Sequence, residues 1–324
     1  MDLKYIFFSG KNPKLPYYIS NYTKVFLPKL FFQIRLKAKL KALSSGEDSE
    51  YIRSRVNYYN KLSQKRTCSF SSAFKDLKKS EKVKSVYFLD AYNVISWFRR
   101  DYKWNFLPGD ITYIPEIPSI VKSRPIHGNN ENSVILKLVK VRHFIFVKDK
   151  LKFNEKDNKL IFRGKIENKP HRIDFLEKYF GNPMCDLGNV GRWNKKTPEA
   201  WQVEKNTIHY HFKFKFILAL EGNDVASNLK WIMFSNSIAV MPEPKYETWF
   251  MEGKLIPGYH YIKIKDDYSD LEERLKYYIE HEEEALKIIK NANQYVSQFL
   301  DEEREQLISL AVMDKYLRMT SQKD

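Results

Sequence analysis

A chain of 324 residues, 43% hydrophobic and 15% aromatic, carries enough apolar side chain for two domains of ordinary size, which excludes wholesale disorder. Eleven Gly and thirteen Pro without a repeat or low-complexity tract exclude fibrous, solenoid and linker-dominated architectures, and Cys68 and Cys185 alone cannot build a disulfide framework or a cysteine zinc site. The net charge of +16 is uneven: residues 1–90 hold 19 Lys/Arg against 7 Asp/Glu, which points to an anionic partner for the first half, be it nucleic acid, anionic lipid or a phosphorylated glycolipid.

The opening segment lacks the long apolar core and small-residue cleavage site of a secretory signal, and no stretch approaches the ~20 apolar residues that span a bilayer. With so few cysteines, the expected location is cytoplasmic, free or peripheral on the cytoplasmic membrane face. From Lys24 to Leu43, apolar pairs alternate with Lys29, Lys37, Lys39 and Lys41 as in one amphipathic basic helix or two, with Pro28 near a start or a break. Two readings stand: docking on an anionic membrane, or an ordinary helix with its apolar face in the core and a solvated Lys face. Ser44 to Ser49 reads as a loop, and Val83 to Phe98 as a mixed apolar stretch.

Lys103 to Leu107 looks like a strand that ends in the turn Pro108-Gly109-Asp110, so Asp110 falls at a strand's carboxyl end, where open α/β sheets place functional groups. Pro115, Pro118 and Pro125 keep Ile111 to Ile126 mostly extended. Further on, Lys159 to Lys165 reads as a strand and turn, Pro170 to Phe180 as a helix, and Phe214 to Gly222 as a buried strand. A helix from about Ala226 to Ser235 follows, then strands in SIAVMPE and HYIKIKDD and a long helical region from Leu271 to Leu300. Repeated β-α-β order predicts a parallel sheet with helices on both faces, and the domain boundary is set near Asp149.

The buried strand ending at Glu221-Gly222-Asn223-Asp224 and opening a helix through Val225, Ala226, Ser227, Asn228 and Lys230 has the makings of an anion site, because N–H groups at a helix start favour a phosphate. An ordinary cap by Asn223, Asp224 or Ser227 is the competing account. Arg163-Gly164-Lys165 with His171-Arg172 forms a second βα junction, whose cations suit a leaving diphosphate; surface Arg on a basic protein is the plain alternative. His209 and His211, at i, i+2, are expected to share a strand face as a structural pair without a third metal ligand. Asp266-Asp267 is read as a helix cap, His281 lacks the second His of a zincin, and no Walker loop, G-x-S-x-G elbow or G-x-G-x-x-G fingerprint occurs.

Over about Gly109 to Tyr316 the chain resembles glycosyltransferase family 90, which holds bacterial lipopolysaccharide glycosyltransferases, fungal capsule-associated proteins and animal protein O-glucosyl/xylosyltransferases. The resemblance is carried by GDITYIPEIPSIVKSRPI, NSVILKLVKVRHF, LIFRGKIENKPHRIDFLEKYFG, FKFILALEGNDVASNLKWIMFSNSIAVMP and YETWFMEGKLIPGYHYIKIKDDYSDL, in that order. It implies an α/β fold of the GT-B type, with two Rossmann-like domains facing a central cleft and C-terminal helices. Residues 1–149 would form the acceptor-binding domain, and 150–324 the donor-binding domain with those helices.

By the same resemblance, Asp110 matches the carboxylate base at the end of a first-domain strand. Asp101, in Arg99-Arg100-Asp101-Tyr102, is the fallback because animal members have a similar Arg-Asp-Tyr string. Donor contacts map onto Arg163, Gly164, Lys165 and Arg172, and onto Gly222, Asn223, Asp224, Val225, Ala226, Ser227 and Asn228. The animal branch has Arg where Asn228 stands, so Lys230 is the expected substitute, while Lys122 and Arg124 fall on the acceptor side. The implied reaction inverts configuration, takes a UDP-sugar and needs neither a metal nor another cofactor. The expected acceptor is a saccharide or lipid-linked saccharide of lipopolysaccharide core or another surface glycan, with the anionic membrane face as a further partner and no nucleic acid. The basic first half with its abundant Tyr and Phe leaves a nucleic-acid-binding protein as the competing class, and a membrane-peripheral scaffold without transferase activity as a second alternative.

Overall fold

The computed structural model describes residues 9–45, 48–78, 83–193 and 197–323. They fall into two compact units. One comprises Arg142–Pro244 and Lys254–Gln298 with the described residues before Pro13; the other comprises Pro13–Val141, Lys245–Gly253 and Phe299–Asp324.

The first of these units is built on a five-stranded sheet. Its strands in chain order are Asp157–Gly164, Cys185–Asn189, Phe214–Leu218, Ile238–Met241 and Ile262–Lys263, and across the sheet they lie second, first, third, fourth, fifth. Every pairing is parallel. Parallel neighbours need crossovers, and helices supply several of them. All five residues of the central Phe214–Leu218 strand are buried, as expected when both sheet faces are covered. Even Lys215 is enclosed, its ammonium 4.9 Å from the centre of the Phe153 ring. The Pro170–Tyr179 and Leu271–Glu280 helices deliver Phe175, Leu176, Leu271 and Leu275 to the same apolar cluster as Phe216 and Val240.

Three segments of this unit differ from what the sequence predicts. Cys185–Asn189 is a strand that carries no β signature, with Asp186, Gly188 and Asn189 in five residues. Gly188 is required there, since a Cβ would lie 2.1 Å from Val203 Cγ2. His209 and His211 lie on a single helical turn, Ile208–His211, because Thr207 caps it by accepting from the Tyr210 N–H. Burial pushes His211 down to about 4, and its Nδ1 donates to the Thr207 carbonyl at 2.7 Å. The helix expected from Ala226 spans only Leu229–Met233.

The other unit carries a three-stranded parallel sheet, Phe106–Leu107, Ser119–Val121 and Ser133–Ile135 in that order. The same unit holds the helices Lys14–Phe26, Lys29–Ser45, Ser49–Tyr59, Ser85–Ile95 and Glu302–Met319, the last of which packs against the three before it and the first against Ser85–Ile95. The family resemblance places the last helix with residues 150–324. It packs instead in this unit, where Tyr316 donates to the Pro118 carbonyl and Asn60 to the Val312 carbonyl. Its Glu305, buried, accepts from Arg55 and Lys137 at 2.7 Å each and from the Trp249 indole at 2.6 Å. The loop expected over Ser44 to Ser49 gives way at both ends to helix, and residues 46–47 lie outside the described residues.

Candidate active site

In a doubly wound sheet the ligand crevice opens outside the carboxyl ends of the strands, where the strand order reverses. Here that point lies between the Asp157–Gly164 and Phe214–Leu218 strands, whose connections leave toward opposite edges. The segments following them are Lys165 to Lys169 and Ala219 to Asn228, which contain most of the donor-side residues singled out by sequence.

Arg172 ties the two segments together. Pro170 opens its helix, fixing φ at a position whose N–H has no intrahelical role, and so sets Arg172 in the first turn. Its Nη1 donates to the Lys165 carbonyl at 2.8 Å, Nη2 to Leu220 at 2.7 Å and Nε to Glu221 at 2.9 Å. His171 Nε2 adds a 2.8 Å contact to the same Glu221 carbonyl. Three of five guanidinium N–H donors are thus spent on the fold, leaving one on each Nη nitrogen. The guanidinium also stands 5.6 Å from the centre of the Phe162 ring. Burial lowers the Arg172 pKa to about 10, so the group stays cationic at neutral pH.

Gly164 serves this arrangement. A Cβ there would lie 2.4 Å from Phe162 Cζ, so glycine is what lets the ring fold back beneath Arg172. Arg163 points its chemistry elsewhere: its donors go to Asn206 Oδ1 and to the carbonyl and carboxylate of Asp186, clamping the first strand to the second. Lys165 is exposed.

On the other segment Asn223 is exposed, Gly222, Ser227 and Asn228 are half-buried, and Asp224, Val225 and Ala226 are buried. Asn228 donates its Nδ2–H to the Leu218 carbonyl at 2.9 Å, which holds the turn against the strand end and starts the helix later than expected. With five residues, that helix has little dipole to offer an anion. Lys230 is wholly buried and presents no surface to a ligand in this state. Gly222 is not demanded by the fold: a Cβ there would meet nothing closer than the Val225 carbonyl at 3.5 Å.

In the second unit, Asp110 follows the Phe106–Leu107 strand through Gly109, whose φ of +130° favours glycine. Lys122 directly follows the neighbouring Ser119–Val121 strand, and its buried ammonium pairs with Asp110 Oδ1. The Asp110 side chain keeps 31% of its surface exposed. Ser123 Oγ accepts from the Ile111 N–H and donates to the Ile111 carbonyl, which fixes the backbone beside Asp110. Arg124, placed on the acceptor side by sequence, is wholly buried, bonded to Glu247 and to the Tyr58, Tyr59 and Ser133 carbonyls. That is a structural role. Asp101 is an exposed surface residue paired with Arg99, whose hydrogen bond holds its carboxyl below the usual range.

Residues 134–323 match glycosyl transferase family 90. The chain belongs to that family. It is 39% identical over 316 residues to O-glucosyltransferase LpsA of Dichelobacter nodosus, covering 94% of this chain and 96% of that protein. It is also 28% identical over 172 residues to human protein O-glucosyltransferase 3, across 52% of this chain and 33% of that protein. A zebrafish (Danio rerio) protein O-glucosyltransferase 2 matches at 30% over 147 residues, 44% of this chain and 29% of that protein. The protein is a glycosyltransferase, and the nucleic-acid-binding and scaffold readings give way to that. The family match takes in the whole five-stranded sheet but begins downstream of both Asp101 and Asp110. Among the described residues, no helix is long and apolar enough to cross a membrane.

Sequence reasoning missed three supporting residues: Phe162, Ser123 and Tyr268, whose hydroxyl donates to the His171 carbonyl at 2.8 Å. Phe162 had a local signal, an aromatic two residues before a glycine at a strand end. The other two act across the fold and leave no trace in local spacing.

Proposed function

We propose that this glycosyltransferase is an inverting O-glucosyltransferase that uses UDP-glucose and glycosylates a hydroxyl of a saccharide acceptor in lipopolysaccharide core or a related surface glycan. The observation that carries the reading is the Arg172 guanidinium at the reversal of strand order, tied to the carbonyls of both adjoining segments with two donors to spare. A fixed, desolvated cation at that point suits a diphosphate, whose charge grows as the sugar leaves. Exposed Lys165 and the half-buried Gly222, Ser227 and Asn228 turn supply the remaining contacts in this reading. Gly222, which the fold itself does not require, leaves room for close approach of the ligand to the backbone.

Asp110 is the base. Its carboxylate takes the proton of the acceptor hydroxyl as that oxygen forms a bond to the anomeric carbon, and the bond from that carbon to the diphosphate oxygen breaks. The bonding pair goes to UDP, the proton stays on Asp110, and attack from the face opposite UDP inverts the configuration. Lys122 holds the carboxylate in position. Arg172 and Lys165 balance the diphosphate charge, so no metal is needed. GT-B architecture belongs to the same reading.

The test is UDP binding by calorimetry, together with glucosyl transfer in the presence and absence of EDTA and NMR assignment of the product anomer. The reading predicts UDP binding lost in Arg172→Ala but kept in Asp110→Asn, transfer lost in both, no EDTA effect, and a β-linked product from the α-linked donor. A retained anomeric configuration, or full transfer by Asp110→Asn, would sink it.

A further inference from the structure

The Lys14–Phe26 helix is inside out. Two of its polar side chains face the protein: Tyr17 donates to Asp90 at 2.8 Å, and buried Asn21 accepts from Asn93. Its apolar residues Leu15, Ile19 and Phe26, spaced i, i+4, i+11 along one stripe, are exposed, Leu15 at 71% and Phe26 at 84%. The Lys29–Ser45 helix repeats the pattern beyond the Leu27–Pro28 joint. Its inward face holds Phe32 against Trp97, Gln33 bonded to the Phe98 carbonyl and buried Leu36, while Leu30, Phe31 and Ile34 are exposed. Leu27 at the joint is exposed as well.

A soluble surface scatters its large apolar residues singly, but here seven fall within twenty residues on the outer faces of two consecutive helices and the joint between them. Within the two helices the charge is of one sign. Residues 13–45 contain seven Lys/Arg and no Asp or Glu. Lys29 and Lys39 lie over the Tyr92 and Trp97 rings, whereas Lys14, Lys24, Arg35, Lys37 and Lys41 are exposed. A second copy of this face would set these cations against their own kind, which disfavours self-association through it. A predominantly basic rim around an apolar stripe complements one kind of surface, a bilayer with anionic headgroups, where the apolar side chains enter the acyl boundary and the lysines meet the phosphates.

We infer that the two helices form an interfacial anchor that seats this unit on an anionic lipid bilayer, with Phe26, Leu30, Phe31 and Ile34 inserted and Lys37 and Lys41 at the headgroups. The inference does not depend on which sugar is transferred or on which residue is the base.

The experiment is co-sedimentation of the full chain with vesicles of phosphatidylcholine mixed with phosphatidylglycerol, against phosphatidylcholine alone, over a range of salt. The expected result is salt-sensitive binding to the mixed vesicles only, weakened about tenfold or more by Phe26→Ser/Leu30→Ser/Phe31→Ser and by Arg35→Gln/Lys37→Gln/Lys41→Gln. The exposed apolar pair Ile256 and Tyr259, in the other unit, serves as control, and its double Ser variant binds as the parent does. Phe26→Trp, which deletes nothing, gives an independent reading: its emission shifts to the blue on mixed vesicles and is quenched by brominated lipid. The inference is overturned if the parent ignores mixed vesicles, if the apolar triple variant binds undiminished, or if Phe26→Trp stays solvent-exposed on bound protein. Concentration-dependent self-association without lipid that the triple variant abolishes would equally overturn it, by assigning the face to a second copy.

Discussion

Replacing Arg172 by Lys separates charge from geometry. The lysine keeps a cation in the first turn but has one nitrogen where arginine has three, so about one of the three bonds to the Lys165, Leu220 and Glu221 carbonyls survives, while Glu221 keeps its His171 contact. A hydrogen bond from a charged donor contributes about 1.5–3 kcal/mol, and water recovers part of the loss at a half-open site, so two lost bonds cost about 3 kcal/mol. For a folding unit of this size that lowers the melting temperature by about 6–12 °C. The consequence for donor binding follows from the same geometry. Once the two segments are untied, UDP has to order them, and an ordering cost of about 1.4 kcal/mol already weakens binding tenfold. Differential scanning fluorimetry with and without UDP, paired with calorimetric UDP titration, measures both effects on one sample. Arg172→Lys with parental melting temperature would refute the tie between segments. A lowered melting temperature with parental UDP affinity would leave the tie intact and remove the donor site from it.

Further outcomes follow from other residues. Asp110→Asn lowers kcat about 100- to 10,000-fold with UDP affinity unchanged, while Asp101→Asn leaves both within twofold on the order of assay scatter; steady-state transfer kinetics check the pair. Gly164→Ala costs about 1–3 kcal/mol in urea unfolding because its Cβ displaces Phe162, whereas Gly222→Ala is neutral or stabilising by up to about 1 kcal/mol and yet weakens UDP binding. His211 is buried with its pKa lowered from 6.5 to about 4, so between those values the unfolded chain holds the proton and the folded chain does not. Its contribution to stability is therefore intact above pH 6.5 and falls by about 3 kcal/mol as pH drops toward 4. A His211→Gln variant should show a correspondingly flatter stability profile over that window.

What could be read from sequence was what is decided locally. The Asp157–Gly164 strand and the Pro170–Tyr179 helix were legible because the alternation, the glycine and the proline are all within reach of one window. The Cys185–Asn189 strand was not, since it is a strand only because Leu160 to Gly164 offers it a parallel edge and Val203 packs on Gly188. The Arg55–Glu305–Lys137 cluster spans 250 residues of chain between Arg55 and Glu305, and no local pattern announces it. The same limit applies to cations among the candidate site residues. Arg163, Arg124 and Lys230 have the composition of anion contacts, but burial and partners decide what a cation does, and those are properties of the packed molecule.

Lys24 to Leu43 had two readings in the sequence, core helix or membrane surface, because an apolar stripe looks the same whichever way it faces. The stripe's direction is settled by what the opposite face can bond. Asp90 is wholly buried and accepts from both the Tyr17 hydroxyl and the Lys140 N–H. Turning the first helix to bury Leu15, Ile19 and Phe26 would strip Asp90 of the Tyr17 hydroxyl and Asn93 of Asn21, and a buried carboxylate left with Lys140 alone loses several kcal/mol of compensation. Burying the three apolar side chains would return about 1.5–3 kcal/mol each. The two terms are of comparable size, so the polar partners hold the helix outward without a large margin. A bilayer that takes up the apolar face adds its transfer free energy to the outward arrangement alone, so lipid binding should protect the amides of Lys14–Phe26 from hydrogen exchange beyond their protection in solution. Equal protection with and without mixed vesicles would mean that the helix is held outward by its polar partners and nothing more.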